Sequence, residues 1–84
     1  HNELEDAWEK EHRRMLAATA KKEVENEVTT ATWQAFRMTA LEDVSATEAG
    51  KRLQMSPGAV YVAKSRVTAK LRQAIERLQA EQES

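Results

Sequence analysis

Residues 55–73, MSPGAVYVAKSRVTAKLRQ, combine cationic, small and hydroxyl side chains at spacings that suit contact with a polyanion. The overlapping residues 45–72 contain six basic side chains and a single acidic one, Glu48, so this segment carries a charge of +5. Residues 1–44 carry −4 and residues 73–84 carry −2, which leaves the chain at −1 overall. A local block of positive charge attracts nucleic acid even when the average charge of the chain is slightly negative.

Candidates for catalytic or metal chemistry are weaker. Glu9 and His12 have the spacing of half of a carboxylate-bridged metal site, but these 84 residues contain no second E-x-x-H pair. They also contain no cysteine, which excludes a disulfide or a thiolate metal site. We find no glycine-rich phosphate loop and no nucleophile elbow. We therefore predict no enzymatic activity and no cofactor.

The sequence has no apolar run long enough to cross a membrane and no signal-peptide pattern, so we expect no membrane partner and a cytoplasmic location. The lack of cysteine suits a reducing compartment. The chain begins at His1 rather than at Met, and we interpret it as an excised part of a longer protein.

Helix-breaking residues are scarce, since the two glycines and the one proline all lie within residues 50–58. Ala, Glu, Lys, Arg, Gln and Leu, which favour helices, are abundant. We therefore predict an all-α fold, a single four-helix domain over residues 1–84. A long first helix and linker are predicted within residues 1–28, and a helix-turn-helix within residues 45–80.

The first helix is predicted to begin after Asn2, whose side chain can cap it, and its acidic first turn suits the positive end of the helix dipole. Apolar side chains recur at spacings near 3.6 residues and predict one inward face. The members of that face are Leu4, Trp8, Met15, Leu16, Ala20 and Val24.

A second helix is predicted after a cap at Thr29 or Thr30. Its apolar side chains have helical spacing, so we interpret its aromatic residues, like Trp8, as core anchors rather than as base-stacking platforms. The predicted inward set is Trp33, Phe36, Ala40 and Leu41.

Two further helices are predicted on either side of a tight turn around residues 54–56. Ser45 and Glu48 form an S-x-x-E capping box, so a short helix is predicted from Ala46. Its predicted core side chains are Ala49 and Leu53.

Ser56 is the predicted N-cap of the last helix, with Pro57 at its first position, where the missing N–H costs nothing. This helix is predicted to run to about Ala80. The predicted core stripe is Val60, Ala63, Val67, Leu71, Ala74 or Ile75, and Leu78. A short helix, a turn and a second helix in this order give the helix-turn-helix layout.

In a helix-turn-helix protein the second helix lies in the DNA major groove, where its N-terminal residues reach base edges. The side chains outside the core stripe of the last helix are donors, cations and small or apolar groups. They are Ala59, Tyr61, Val62, Lys64, Ser65, Thr68, Lys70 and Arg72. Arg66 also has the reach to pair with guanine. Since residues 45–72 offer almost no acidic partners, we predict that this helix binds nucleic acid.

The order WQAF…L…VSATEAGKRLQMSPGAVYVAKSRVTAKLR resembles region 4 of bacterial RNA polymerase sigma factors of the extracytoplasmic-function group. Family members typically have S-x-x-E-I-A-x-x-L-x-[hydrophobic]-S-x-G-[TA]-V, followed by a basic helix that ends in R-A-R-x-x-L. The positions that fit are Ser45, Glu48, Leu53, Met55, Ser56, Gly58, Ala59, Val60, Arg66 and Leu71. The resemblance covers about residues 28 to 75.

The resemblance implies that the last helix contacts the −35 element of double-stranded promoter DNA and that the domain docks on the β-subunit flap of RNA polymerase. An anti-sigma factor is a further implied partner. Carried over by position, the base-edge contacts would be Tyr61, Val62, Ser65 and Arg66. The phosphate contacts would be Lys51, Arg52, Ser56, Gly58, Ala59 and Lys64.

The chain departs from the family pattern at two places. The family motif after G-[TA]-V is K-S-R, whereas this chain has Tyr61, Val62 and Ala63, which favours apolar contact such as contact with thymine methyls. Ala49 and Gly50 replace I-A on the short helix, and Gly50 is expected to weaken that helix by about 1 kcal/mol. The promoter sequence that this chain recognises therefore cannot be inferred from other members.

Two other interpretations remain open at this point. One is the DNA-binding domain of a dimeric response regulator, which would recognise inverted repeats. The other is a protein-interaction bundle whose basic helix docks on an acidic partner such as an anti-sigma factor. The long acidic first helix and the AKSRV segment favour the sigma factor over the response regulator, whereas the salt dependence and the duplex specificity of binding separate DNA binding from the protein-interaction bundle.

Overall fold

The structure, a computed structural model that describes residues 2–83, is all-α, as the sequence predicts. Four α-helices and no strand occur within these residues. The helices are α1 (Glu3–Glu27), α2 (Thr30–Phe36), α3 (Ala46–Leu53) and α4 (Pro57–Glu83), and a π-helical segment, Arg37–Leu41, extends α2. No helix in the described part of the chain is both long and apolar enough for a membrane span.

The helices begin at the polar side chains that the sequence predicts as caps. Each cap oxygen accepts a hydrogen bond from a backbone N–H of the first turn, which satisfies one of the donors that a helix start leaves free. The pairs are Asn2 with Leu4, Thr29 with Thr32, Ser45 with Glu48 and Ser56 with Ala59. Local sequence therefore determines where each helix starts.

The last helix, α4, packs against each of the other three helices and carries both parts of the core. Its C-terminal half packs on α1 and α2, and its N-terminal half packs on α3 and the π-helical segment. The predicted core stripe is confirmed. Val60, Ala63, Val67 and Ala74 are buried, and Leu71, Ile75 and Leu78 are half-buried around them.

Helix α1 runs antiparallel to α4, and ion pairs link their exposed edges. Glu27 lies 3.7 Å from the Lys70 ammonium, and one turn earlier on α1 Glu23 accepts a hydrogen bond from Arg77. Arg77 also donates to Glu81 at 3.0 Å. The hydrogen bond to Glu23, followed by the one to Glu81, raises the pKa of the Arg77 guanidinium above its ordinary value.

The prediction for α1 is correct in its C-terminal half and wrong in its N-terminal half. Leu16 is buried, as are the predicted core residues that follow it, whereas Leu4, Trp8 and Met15 are exposed. At about 100° per residue these three side chains cluster roughly 140° around the helix from the buried stripe. A single helix face cannot hold both sets, so α1 has two apolar faces.

The prediction for the second helix is partly wrong for a different reason. Phe36 is buried and Trp33 is half-buried, as predicted, but Ala40 and Leu41 are exposed. The Glu42 N–H donates to the Arg37 carbonyl at 3.0 Å, the five-residue step of a π turn. This wider turn shifts the helical phase, so positions chosen for an α-helical period rotate away from the core. The buried side chains are instead Ala35 and Met38, which the sequence prediction missed.

Candidate nucleic-acid interface

The connection between α3 and α4 is a three-residue turn, Gln54–Ser56, at the position that the sequence predicts. Gln54 adopts the left-handed conformation, with φ 57° and ψ 45°. The backbone N–H groups of Gln54 and Met55 both donate to the Gly50 carbonyl, the second at 2.8 Å. These bonds close the end of α3 and direct the chain into α4.

Gly50 is required by this turn. The sequence prediction treats Gly50 only as a residue that weakens the short helix, and it misses this role. A Cβ atom placed on Gly50 would lie 2.4 Å from the Met55 carbonyl oxygen, closer than real Cβ contacts allow. The missing side chain therefore lets the turn fold back against α3. A glycine close to an M-S-P-G turn is a sequence signal that could have indicated this close approach.

The start of α4 is exposed and offers hydrogen-bond donors. The Ser56 hydroxyl oxygen accepts from the Ala59 N–H at 3.1 Å, which leaves the hydroxyl proton free to be donated elsewhere. A Cβ atom added at Gly58 would meet nothing within 4 Å, so a ligand can approach this backbone closely. Ser56, Gly58 and Ala59, the predicted phosphate contacts at this end, are all exposed.

The four predicted base-contact residues lie together on the outer face of α4. Tyr61, Val62, Ser65 and Arg66 line one open, shallow depression, and all four side chains are exposed. Tyr61 retains 62% and Val62 54% of the free surface of each residue, which is high for large apolar side chains. The steps of one, four and five residues from Tyr61 place the set on adjacent turns of one face.

Charge neutralisation divides the six cations of residues 45–72 into two groups. Arg52 lies 3.3 Å from Glu48 on α3, and Lys70 lies 3.7 Å from Glu27 on α1. The other four, Lys51, Lys64, Arg66 and Arg72, have no carboxylate partner within residues 2–83. Lys70 takes its partner from outside residues 45–72, on a segment distant in sequence, so the scarcity of acidic side chains within residues 45–72 does not leave it unpaired.

A second depression separates the α2–α3 connection from the first turns of α4, and sequence reasoning missed it. Asp43, Ser45, Val60, Tyr61 and Lys64 contribute to its lining. Asp43 has φ 59°, a left-handed backbone that short polar residues tolerate better than most others. Lys64 is half-buried here, with a carboxylate on the same lining, so it is less open to phosphate than Lys51 is.

The weak metal candidate has a different arrangement. The rings of Trp8 and His12 are stacked, with centroids 5.0 Å apart and planes 6° apart. Within residues 2–83 no three His, Cys, Asp or Glu side chains converge in a way that could hold a metal ion.

The arrangement as a whole is an exposed helix start, a mixed apolar and cationic face, and flanking cations without carboxylate partners. Such a surface suits a duplex, because phosphates bind the cations and helix start while base edges meet the side chains between them. No protein-family model, curated protein or solved structure matches the chain.

Proposed function

We propose that this chain is the C-terminal DNA-binding domain of an extracytoplasmic-function sigma factor, and that α4 contacts the −35 element of promoters. The observation that carries the proposal is the shared outer face of Tyr61, Val62, Ser65 and Arg66. The resemblance assigns base contact to these four residues, and they lie together, exposed, beside an exposed helix start.

The proposed mechanism separates attraction from discrimination. Lys51, Arg72 and the donors at the start of α4 bind phosphates, which is a salt-sensitive interaction blind to sequence. Arg66 donates to guanine, and Ser65 donates to or accepts from a base edge. Tyr61 and Val62 pack on the apolar parts of bases. The acidic α1 stays away from the duplex because of its charge.

The proposed second partner is the flap of the polymerase β subunit, which would bind a surface formed by α1 to α3. Leu41, at the end of the π-helical segment, remains 53% exposed and offers a large apolar contact there. An anti-sigma factor is the partner that would compete for these surfaces.

The experiment that tests the proposal is selection from a randomised duplex pool at low salt, followed by sequencing. We expect an asymmetric motif of a few base pairs, because one copy presents one α4. An inverted repeat would favour the dimeric response regulator instead. Salt-sensitive binding without enrichment would leave only the electrostatic role, and absence of binding would contradict the proposal.

An arginine pair provides the matched control. Arg66→Ala should remove preference at one base pair, worth about 1–3 kcal/mol for a bidentate contact to guanine. Arg13→Ala makes the same chemical change on α1 and should leave the motif intact. If the two variants enrich the same motif, the role assigned to Arg66 is wrong.

A further inference from the structure

The ion pair between Lys70 on α4 and Glu27 on α1 is well exposed to solvent. The ammonium and the carboxylate are 3.7 Å apart, and the two side chains retain 40% and 56% of their free surface. Exposed pairs of this kind contribute little to stability, because water screens the charges and two long side chains must be held in one geometry. Lys70 can therefore exchange Glu27 for another anion at small cost.

The neighbouring pair on the same edge of α4 is held more firmly. Arg77 donates hydrogen bonds to Glu23 on α1 and, at 3.0 Å, to Glu81 on its own helix. Lys70 and Glu27 are too far apart for a direct hydrogen bond. Of the two cations that α4 directs towards α1, Lys70 is thus the one that a competing anion can capture.

The charge of Glu27 suits Lys70 and does not suit its own helix. Glu27 is the last residue of α1, and the last turn of α1 contains no basic side chain. A carboxylate at this end of a helix is unfavourable, because the helix dipole is negative there. The stabilising interaction that the structure shows for Glu27 is therefore the one across to α4.

Lys70 also lies next to the face assigned to DNA. It follows Arg66 by four residues, so the two side chains are neighbours on adjacent turns of α4. Arg66 lines the depression that holds the base-contact set. A helix in the major groove has phosphates along its edges, where cations beside the base contacts reach them. Two anions thus compete for Lys70 in this arrangement, the Glu27 carboxylate and a phosphate of the bound duplex.

We propose that Glu27 competes with DNA phosphate for Lys70 and thereby lowers the sequence-blind affinity of the domain for DNA. The inference rests on the proposed function, since it requires that α4 lies against a duplex. Lys70 pairs with Glu27 in the free protein and exchanges it for a phosphate in the complex. Neither Arg66 nor Ser65 pairs with Glu27 within residues 2–83, so the base preference does not depend on this exchange.

Fluorescence anisotropy with a labelled duplex of arbitrary sequence tests the proposal. Glu27→Gln should raise the affinity at low salt about two- to fivefold, the range expected for loss of one exposed ion pair. The slope of log affinity against log salt should steepen by up to about one, because Lys70 then displaces a counterion. Glu25→Gln makes the same change on the opposite side of α1, where Glu25 has no cation partner within residues 2–83, and should have a much smaller effect. Equal effects of the two variants would overturn the proposal.

A double variant separates competition from simple repulsion between Glu27 and phosphate. In a chain that already carries Lys70→Ala, Glu27→Gln should raise the affinity no more than Glu25→Gln does. If Glu27→Gln raises it by the same factor with and without Lys70, the carboxylate acts by repulsion and the proposal is wrong. Circular dichroism verifies that every variant stays folded.

The outcome also distinguishes this inference from the proposed promoter contact, which the selection experiment tests. An enriched motif without a specific effect of Glu27→Gln would keep the promoter contact and overturn the competition. A specific effect of Glu27→Gln without any enriched motif would support the competition and remove the promoter contact. Absence of duplex binding by every variant would overturn both.

Discussion

Two regions of the molecule expose large apolar side chains, and they differ in the charges that surround them. The first turns of α4 expose Tyr61 and Val62 beside Arg66, which has no carboxylate partner within residues 2–83. The first half of α1 exposes Leu4 and Trp8 within residues 3–9, which carry four acidic side chains, and the next five residues carry three basic side chains and one acidic one. One patch is uniformly cationic, and the other is charged in opposite directions along its length.

We expect the charge pattern, more than apolar exposure, to decide which partner each patch takes. A uniformly cationic rim repels a second copy of itself and attracts a polyanion. Residues 3–14 of α1 change sign along the helix and carry a net charge of −2. The two patches are therefore expected to respond to different substitutions.

The largest effect is expected in the core that supports α1 and α4 together. Phe36 is 5% exposed and packs between α1, α2 and α4, so Phe36→Ala should lower the free energy of unfolding by about 3–5 kcal/mol. Trp8→Ala removes an aromatic ring from the surface and should change the free energy of unfolding by less than about 0.5 kcal/mol. Urea denaturation followed by circular dichroism measures both. Equal losses would mean that Trp8 belongs to the core after all.

The next effect concerns the turn that directs α4, and the two glycines form a matched pair. Gly50→Ala should destabilise the chain by about 1–3 kcal/mol, because its Cβ would meet the Met55 carbonyl oxygen at 2.4 Å. Gly58→Ala should be neutral or stabilising by up to about 1 kcal/mol, since nothing lies within 4 Å and alanine favours the helix. Thermal unfolding of both variants gives the comparison. A Gly50→Ala chain as stable as the natural one would show that this turn relaxes freely.

The same pair of regions shows what sequence can and cannot predict. The start of α4, its core stripe and its outward set follow from local rules, since Ser56 and Pro57 mark its start and its apolar period is regular. In α1 the same period fails, because Leu4 and Trp8 lie on a face with nothing to cover them within the described chain. Periodicity identifies apolar residues on a helix, whereas burial depends on which neighbours reach that length of it.

Two further features do not follow from a regular helical pattern in the sequence. The ion pair of Lys70 with Glu27 exists only because α1 runs antiparallel to α4. The π turn after Phe36 moves Met38 into the core and Leu41 out of it. The four predicted base-contact residues lie on one face because they fall within two turns of one helix, a placement that needs no tertiary information.

A smaller effect separates cations with and without partners at the α4 surface. If Arg72 touches phosphate, Arg72→Ala should reduce the slope of log affinity against log salt by about one. Lys70→Ala should reduce it by less, because Lys70 is already 3.7 Å from Glu27. Lys22→Ala, on α1, is the control and should leave the slope unchanged. Fluorescence anisotropy of a labelled duplex from low to moderate salt provides the slopes, and an equal fall for Lys22 would indicate non-specific attraction to the whole surface.

The smallest effect tests whether the apolar half of the base-contact face senses a methyl group. If Tyr61 or Val62 packs on a thymine methyl, replacing that thymine by uracil removes about one buried methyl, worth about 0.8 kcal/mol, or roughly a fourfold loss of affinity. The duplex comes from the selection experiment, and thymines outside the enriched motif are replaced as the control. Val62→Ala should abolish the difference between thymine and uracil at the position that Val62 contacts, while leaving the guanine preference of Arg66 intact. If uracil binds as well as thymine at every position of the motif, the exposed tyrosine and valine do not discriminate bases through methyl contact. Specificity would then depend on Arg66 and Ser65, and the apolar exposure at this end of α4 would call for a protein partner instead.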